Sequence, residues 1–191
     1  MSSARTGGIE ASKEGLGERA RAGDADAFGD LVGHHRPAAL RVATVVLGTA
    51  EGADDVVQQA TERAWRGLAS YQSDRPFAPW FFRIVANCAR NDRRSRGRRA
   101  RLAVRATETG ATATSAEDAV IADEDRRRVV EAMNRLSSGD RLVIALRHFE
   151  GMTEIDMAET LHCRIGTVKS RLSRAMVRLR AELQATEVPD A

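Results

Sequence analysis

The stretch from Glu150-Gly151-Met152 through Arg164-Ile165-Gly166-Thr167-Val168-Lys169-Ser170-Arg171-Leu172 holds the side chains best suited to chemistry with another molecule. It reads as two short helices joined by a tight turn, the second carrying Thr167, Lys169, Ser170, Arg171, Arg174 and Arg178 along a polar edge. An apolar-backed helix with such an edge fits the major groove of duplex DNA. An arginine there can bond a guanine edge through two N–H groups, worth about 1–3 kcal/mol of base discrimination. Lys and Ser more often hold phosphates. The spacing that turns Arg164 and these groups outward sets Ile155, Ala158 and Leu161 inward on the first helix, and Ile165, Val168, Leu172, Met176 and Leu179 inward on the second. His162 falls in the turn, at a left-handed position where Gly is the usual residue.

A second basic segment lies well upstream: Arg90, Arg93, Arg94, Arg96, Arg98, Arg99, Arg101 and Arg105. It follows the one aromatic cluster of an aromatic-poor chain, Phe77, Trp80, Phe81 and Phe82. Asn87 and Asn91 stand one helical turn apart on the face of Trp80 and Arg83. The net charge is only +3, but its clustering suits a polyanion better than a uniform spread would. Catalytic chemistry finds no support. His34, His35, His148 and His162 form no acid/base pair and no ligand spacing for a metal. Cys88 and Cys163 are too far apart in sequence for a metal motif and read as reduced thiols. No cofactor is expected.

The elements that must hold these side chains are helical. Phe28, Leu31, Val32 and His35 form one stripe, and Leu40, Ala43, Val46 and Leu47 the next, with Pro37 expected to break or kink the chain between them and Gly48 to cap its end. A third helix is expected over 53–69, burying Val56, Val57, Ala60, Ala64 and Leu68, with Asp54 and Asp55 at its positive end. A fourth starts near Trp80 and dissolves into the arginines. The segment 106–119 is Thr, Ala, Gly and Ser without apolar periodicity and reads as a flexible linker. Beyond it Ile121, Val129, Val130, Met133 and Leu136 form a stripe, then Leu142, Val143, Ala145, Leu146 and Phe149, with Ser137 or Ser138 capping and Gly139 in the turn. No sustained alternation predicts strands. The fold class is therefore all-α: two small helical domains, 16–105 and 120–185, joined by that linker, with tails over 1–15 and 186–191. Each domain is near the lower size limit for an independent core, so a surface shared with a larger partner is expected.

Three segments together resemble a known family. Asp54-Asp55-Val56-Val57-Gln58-Gln59-Ala60-Thr61-Glu62-Arg63-Ala64-Trp65 resembles the region 2 core-binding helix of bacterial sigma factors. Trp80-Phe81-Phe82-Arg83-Ile84-Val85-Ala86-Asn87 and the arginines after it resemble the promoter-melting segment. Gly166-Thr167-Val168-Lys169-Ser170-Arg171-Leu172 resembles the region 4 recognition helix. Their order and the short linker match the extracytoplasmic-function group.

The resemblance implies that Asp54, Asp55, Gln58, Gln59 and Arg63 dock on the clamp helices of the largest subunit of core RNA polymerase, and that region 4 meets the flap of the second-largest subunit. Trp80, Arg83, Asn87, Asn91, Arg93 and Arg94 would bind the −10 element, melted, with a flipped base held in a small pocket. Arg164, Thr167, Lys169, Ser170, Arg171 and Arg174 would bind the −35 duplex. Gln59 stands where the family often has Glu, Arg164 where it often has Pro, and His162 where it often has Gly. The linker would thread toward the polymerase active centre. Many members are held by an anti-sigma partner.

The expected function is thus a non-enzymatic initiation factor, cytoplasmic and without membrane insertion. No apolar run reaches the roughly 18 residues a bilayer crossing needs, and the N-terminus lacks a signal core. The alternative is a stand-alone helix-turn-helix regulator, which would usually dimerise on two half-sites.

Overall fold

Apolar stripes become helices throughout the computed structural model, which describes residues 15–106 and 122–185. Residue 15 begins α1 (15–21) and Ala106 ends α4. The rest of the expected tails and linker, and Ile121 of the first region 4 stripe, lie outside the described residues. Among those described there is no strand.

α2 spans Ala25–Leu47, its N-cap Asp24 accepting from the Asp26 and Ala27 amides. It passes straight through Pro37, against the expectation of a break. Pro37 and Gly33 are both exposed, so the carbonyl that loses its N–H partner can turn to water. Burial of Phe28, Leu31 and Val32 on one side and Ala39, Val42, Ala43 and Val46 on the other holds the helix together across it. Gly48 ends it in the expected left-handed conformation, φ 87°, donating to the Thr44 carbonyl.

α3 runs Ala53–Arg66, shorter than expected, because Gly67 closes it before a single 3-10 turn at Leu68–Ser70. α4 runs Phe77–Ala106. It starts ahead of Trp80 because Pro79 falls in its first turn, where an amide needs no partner within the helix. It continues through the arginines instead of dissolving: Asp92 pairs with Arg96 one turn on, and Arg96 donates to the Glu51 carbonyl at 3.3 Å.

The second half is α5 (Ala122–Arg135), α6 (Ser138–Ile144), a π-turn at Ala145–Phe149, α7 (Glu154–Leu161) and α8 (Ile165–Ala185). Ser137 caps α6, accepting from the Asp140 amide at 3.1 Å. Gly139 lies inside α6 rather than in the turn. The expected stripe on α5 is rotated: Ala132, Met133 and Leu136 are buried, whereas Val129 and Val130 are exposed; Phe149, expected in the next stripe and ending the π-turn, is exposed as well.

The two halves do not bury their cores separately. Phe28, Val42, Val56, Phe81 and Val85 from the first merge with Leu142, Leu146, Met157 and Val168 from the second in one apolar cluster. A smaller cluster joins α5, α6 and α8 through Met133, Ile144, Ala175 and Leu179. Burial that each half is too small to supply alone comes from the other half.

Polar groups lock the junction. The buried Arg141 guanidinium donates to the Val46 carbonyl at 2.8 Å and to the Asn134 side-chain oxygen at 3.0 Å. Val46 is in the last turn of α2, where carbonyls lack helical partners and the helix dipole favours a cation. Burial, with Arg93 nearby, lowers the Arg141 pKa to about 10, so it stays charged at neutral pH. Glu150, its side chain 6% exposed, takes both donors of Arg41 at 2.9 Å.

His162 adopts the expected left-handed backbone, φ 51° and ψ 51°, after α7. A Cβ in that conformation costs about 1 kcal/mol that Gly avoids. His162→Gly should therefore raise the urea unfolding free energy by about that amount. An unchanged or lower midpoint would mean that the imidazole contributes contacts that offset the strain.

Candidate nucleic-acid interface

The helix-turn-helix is built by caps and by the faces it buries. Thr153 opens α7, its hydroxyl accepting from the Asp156 amide at 3.2 Å, and left-handed His162 closes it. α7 buries Met157 and Thr160, while α8 buries Val168, Ala175 and Leu179. Ile155 and Ile165, expected inside, are 68% and 42% exposed. Ile155 precedes buried Met157 by two residues, about 200° around the helix, which puts it on the opposite face. Leu172 and Met176 are half-buried.

The expected reading edge is presented much as the spacing implied. Arg164, Lys169, Ser170, Arg171 and Arg174 are exposed, and Thr167 is half-buried. Lys169 Nζ lies 3.4 Å from a Glu154 carboxylate oxygen. Ser170 Oγ donates to the Thr167 carbonyl at 3.1 Å, and Arg174 Nε to the Ser170 carbonyl at 3.1 Å. The arginine forks thus remain at the surface with only local tethers.

On α4 the expected residues divide. Trp80 is 5% exposed and packs in the aromatic cluster, ring centroids 5.2 Å from Tyr71 and 5.5 Å from Phe77. It is a core residue first. Arg83 is half-buried, and Asn87, Asn91 and Arg94 are exposed. Arg93 is half-buried near Arg141. Arg83, Asn87 and Asn91 therefore share an accessible face with Trp80 beneath one end of it.

Trp80 still borders an open groove of about 680 Å³ between the two halves. Ser70, Tyr71, Gln72, Arg75 and Arg83 line one side; Ile155, Glu159, His162, Arg164 and Ile165 line the other. Gln72 and Arg75 were not foreseen, because the loop ahead of α4 reads only as a proline-bearing connector. The signal was a Gln and an Arg beside the chain's one tyrosine. The Tyr71 hydroxyl donates to the Arg75 carbonyl at 2.7 Å and folds that loop. Burial first, then Asp74 and Glu159, raises the Tyr71 pKa, so the hydroxyl stays a donor.

A third surface lies on α3. Asp54, Asp55, Gln58, Gln59 and Arg63 are all exposed, while Val56, Val57, Ala60 and Ala64 face the core. No side-chain capping bond starts this helix. Asp54 accepts from Arg36 at 2.7 Å, and Arg63 reaches the buried Cys88 thiol, whose pKa burial raises. Among the described residues no His, Cys, Asp or Glu cluster could hold a metal, and no helix is long and apolar enough to cross a membrane.

Comparison with known proteins matches both halves. Residues 31–99 fit the family pattern of sigma-70 region 2, and residues 126–179 that of sigma-70 region 4. The chain is similar to RNA polymerase sigma factor NccH of Alcaligenes xylosoxydans xylosoxydans, 34% identical over 179 residues, 92% of this chain and 96% of that one. It is 32% identical to the ECF RNA polymerase sigma-E factor of Escherichia coli K12, covering 84% of this chain and 88% of the relative. Among solved structures it resembles CnrH in complex with the cytosolic domain of CnrY, with a TM-score of 0.68 and 31% identity over 91% of this chain and 97% of CnrH.

Proposed function

The chain belongs to the extracytoplasmic-function group of the sigma-70 family of RNA polymerase sigma factors, and from that premise we propose how its surfaces divide the work. Residues 16–105 act as the region 2 domain, 120–185 as the region 4 domain, and 106–119 as the linker. The exposed face of α3, with Asp54, Asp55, Gln58, Gln59 and Arg63, docks on core polymerase. Arg83, Asn87, Asn91, Arg93 and Arg94 hold the melted −10 strand, with Trp80 supporting them from the core. Arg164, Thr167, Lys169, Ser170, Arg171 and Arg174 read the −35 duplex. The factor performs no chemistry of its own and works in the cytoplasm beside the polymerase.

The observation that carries this reading is the outward edge of α8 on a properly capped helix-turn-helix, in one chain with the exposed acidic face of α3. Promoter opening then follows from differential binding. Flipping a base out costs a few kcal/mol, and amide side chains that bond its edge return that energy only in the melted state. The −10 and −35 elements lie about 25 base pairs apart, or roughly 85 Å of duplex. A compact chain of this length has a radius of gyration of about 16 Å. Engaging both elements therefore requires the Arg141 and Glu150 junction to part. The closed form suits the free factor, or one bound by a protein partner of the anti-sigma kind, as the sigma factor RpoE from Bartonella quintana is seen in complex with the anti-sigma factor NepR.

Run-off transcription over a genomic promoter library tests the reading. Transcripts from a defined promoter set should require both this chain and core polymerase, and no new transcripts would sink it. A regulator acting alone would instead bind its operator without polymerase. Two variants separate the DNA surfaces. Asn87→Ala should slow promoter opening by about tenfold, one or two lost hydrogen bonds, while leaving holoenzyme assembly intact; equal loss of both would remove the base-contact role. Arg171→Ala should weaken −35 duplex binding by about 1–3 kcal/mol, and unchanged footprints on every promoter would exclude it from the reading set.

A further inference from the structure

A pocket of about 200 Å³ opens where the two halves meet, lined by Arg90 of α4, Asp140 of α6, and Arg171, Arg174 and Arg178 of α8. Four guanidinium groups thus share one carboxylate, and that carboxylate is already engaged. Asp140 Oδ2 accepts from Arg178 Nη1 at 2.7 Å and from the Ser137 hydroxyl at 2.8 Å. Among the described residues Arg90 donates to the Asn87 amide oxygen, at 3.4 Å, and Arg174 to the Ser170 carbonyl. Neither these two nor Arg171 has an ion-pair partner among the described residues. Burial lowers the Arg90 pKa, and the like charges of Arg94 and Arg171 lower it further.

Closing the two halves therefore gathers four guanidinium groups against one carboxylate, and Arg90, Arg171 and Arg174 keep no ion-pair partner among the described residues. Guanidinium forks match the oxygens of phosphate bidentately and hold it more strongly than they hold neutral acceptors. The volume equals the liquid space of about seven waters, enough for one phosphate group with bridging water and too little for a duplex.

We propose that this pocket binds a phosphate-class oxyanion, which ties Arg90 of the first half to α8 of the second. The oxyanion comes either as inorganic phosphate or as the terminal phosphate of a free nucleotide. Bound there, it engages Arg171 and Arg174 and holds the halves together, so it competes with −35 duplex. That competition rests on the function proposed above, whereas the binding itself does not.

Calorimetric titration of the full chain, without polymerase or DNA, tests the site. Sodium phosphate and ADP are titrated separately, against sodium chloride at equal ionic strength. Saturable binding of phosphate is expected, and the tighter of the two probes identifies the source. Arg90→Gln and Arg178→Gln should each weaken it by about tenfold, the loss of a charge-assisted contact. Circular dichroism confirms that each variant folds, and either folded variant suffices. Arg180→Gln, on the same helix but outside the pocket, should bind as the parent does. No saturable binding beyond chloride, or equal weakening in Arg180→Gln, overturns the site. Binding that survives in a chain inactive with polymerase would overturn the proposed function and leave the site standing.

Discussion

Phe81→Ala should lower the unfolding free energy by about 3–5 kcal/mol, the cost of deleting a fully buried aromatic ring and leaving a cavity. Phe81 is 0% exposed and stacks on Phe77 with centroids 5.4 Å apart and planes 19° apart. Aromatic pairs add about 0.5–1.5 kcal/mol beyond the area they bury. Phe77 in turn packs on Trp80, Tyr71 and Phe28, so the loss spreads through the ring cluster that anchors α4 against α2. Small domains are stable by only about 5–15 kcal/mol, so the variant should be partly unfolded at growth temperature. Urea denaturation followed by circular dichroism measures the loss, with Phe81→Leu as a milder control. Because the apolar cluster joins both halves, unfolding should take the two together in one transition. A loss below about 1 kcal/mol would show that the ring contributes little to the core, and two separate transitions would show that the halves are energetically independent.

What the sequence made legible is what depends on local physics. The cap at Ser137, the left-handed positions Gly48 and His162, and the buried faces of α2 and α3 follow from backbone hydrogen bonding and helical period. The outward edge of α8 follows from the same period. What was misread depends on long-range packing. Pro37 sits inside a helix because stripes on both sides of it are buried against other elements. Val129, Val130, Ile155 and Ile165 look like core by type, but neighbouring residues on their helices face the core instead. Trp80 carries both a core and a binding signature: it is 5% exposed within the ring cluster and also borders the groove between the halves. The junction was not foreseeable at all. Arg141 reads as a surface charge until Val46, far away in sequence, offers the carbonyl that accepts it. The loop residues Gln72 and Arg75 come into the groove for the same reason: only the fold brings α7 opposite them.

Reversing the acidic start of α3, with Asp54→Arg and Asp55→Arg together, should weaken binding to core polymerase by about 100-fold. Close charge pairs across protein interfaces couple with about 1.5–7 kcal/mol, so about 3 kcal/mol for the pair of reversals gives that factor. The same change should cost the fold little. Both side chains are exposed. Losing favourable carboxylates at a helix start costs about 0.3–1 kcal/mol each, and the Arg36–Asp54 pair at the surface is worth about 0–1 kcal/mol. The two readouts therefore separate: the unfolding midpoint shifts slightly while the affinity collapses. Arg171→Ala supplies the complementary case, with core affinity kept and −35 binding reduced. If the double reversal left core affinity at the parental level, the acidic edge of α3 would act only on its own helix dipole. Polymerase docking would then have to be sought on another exposed face of the first half.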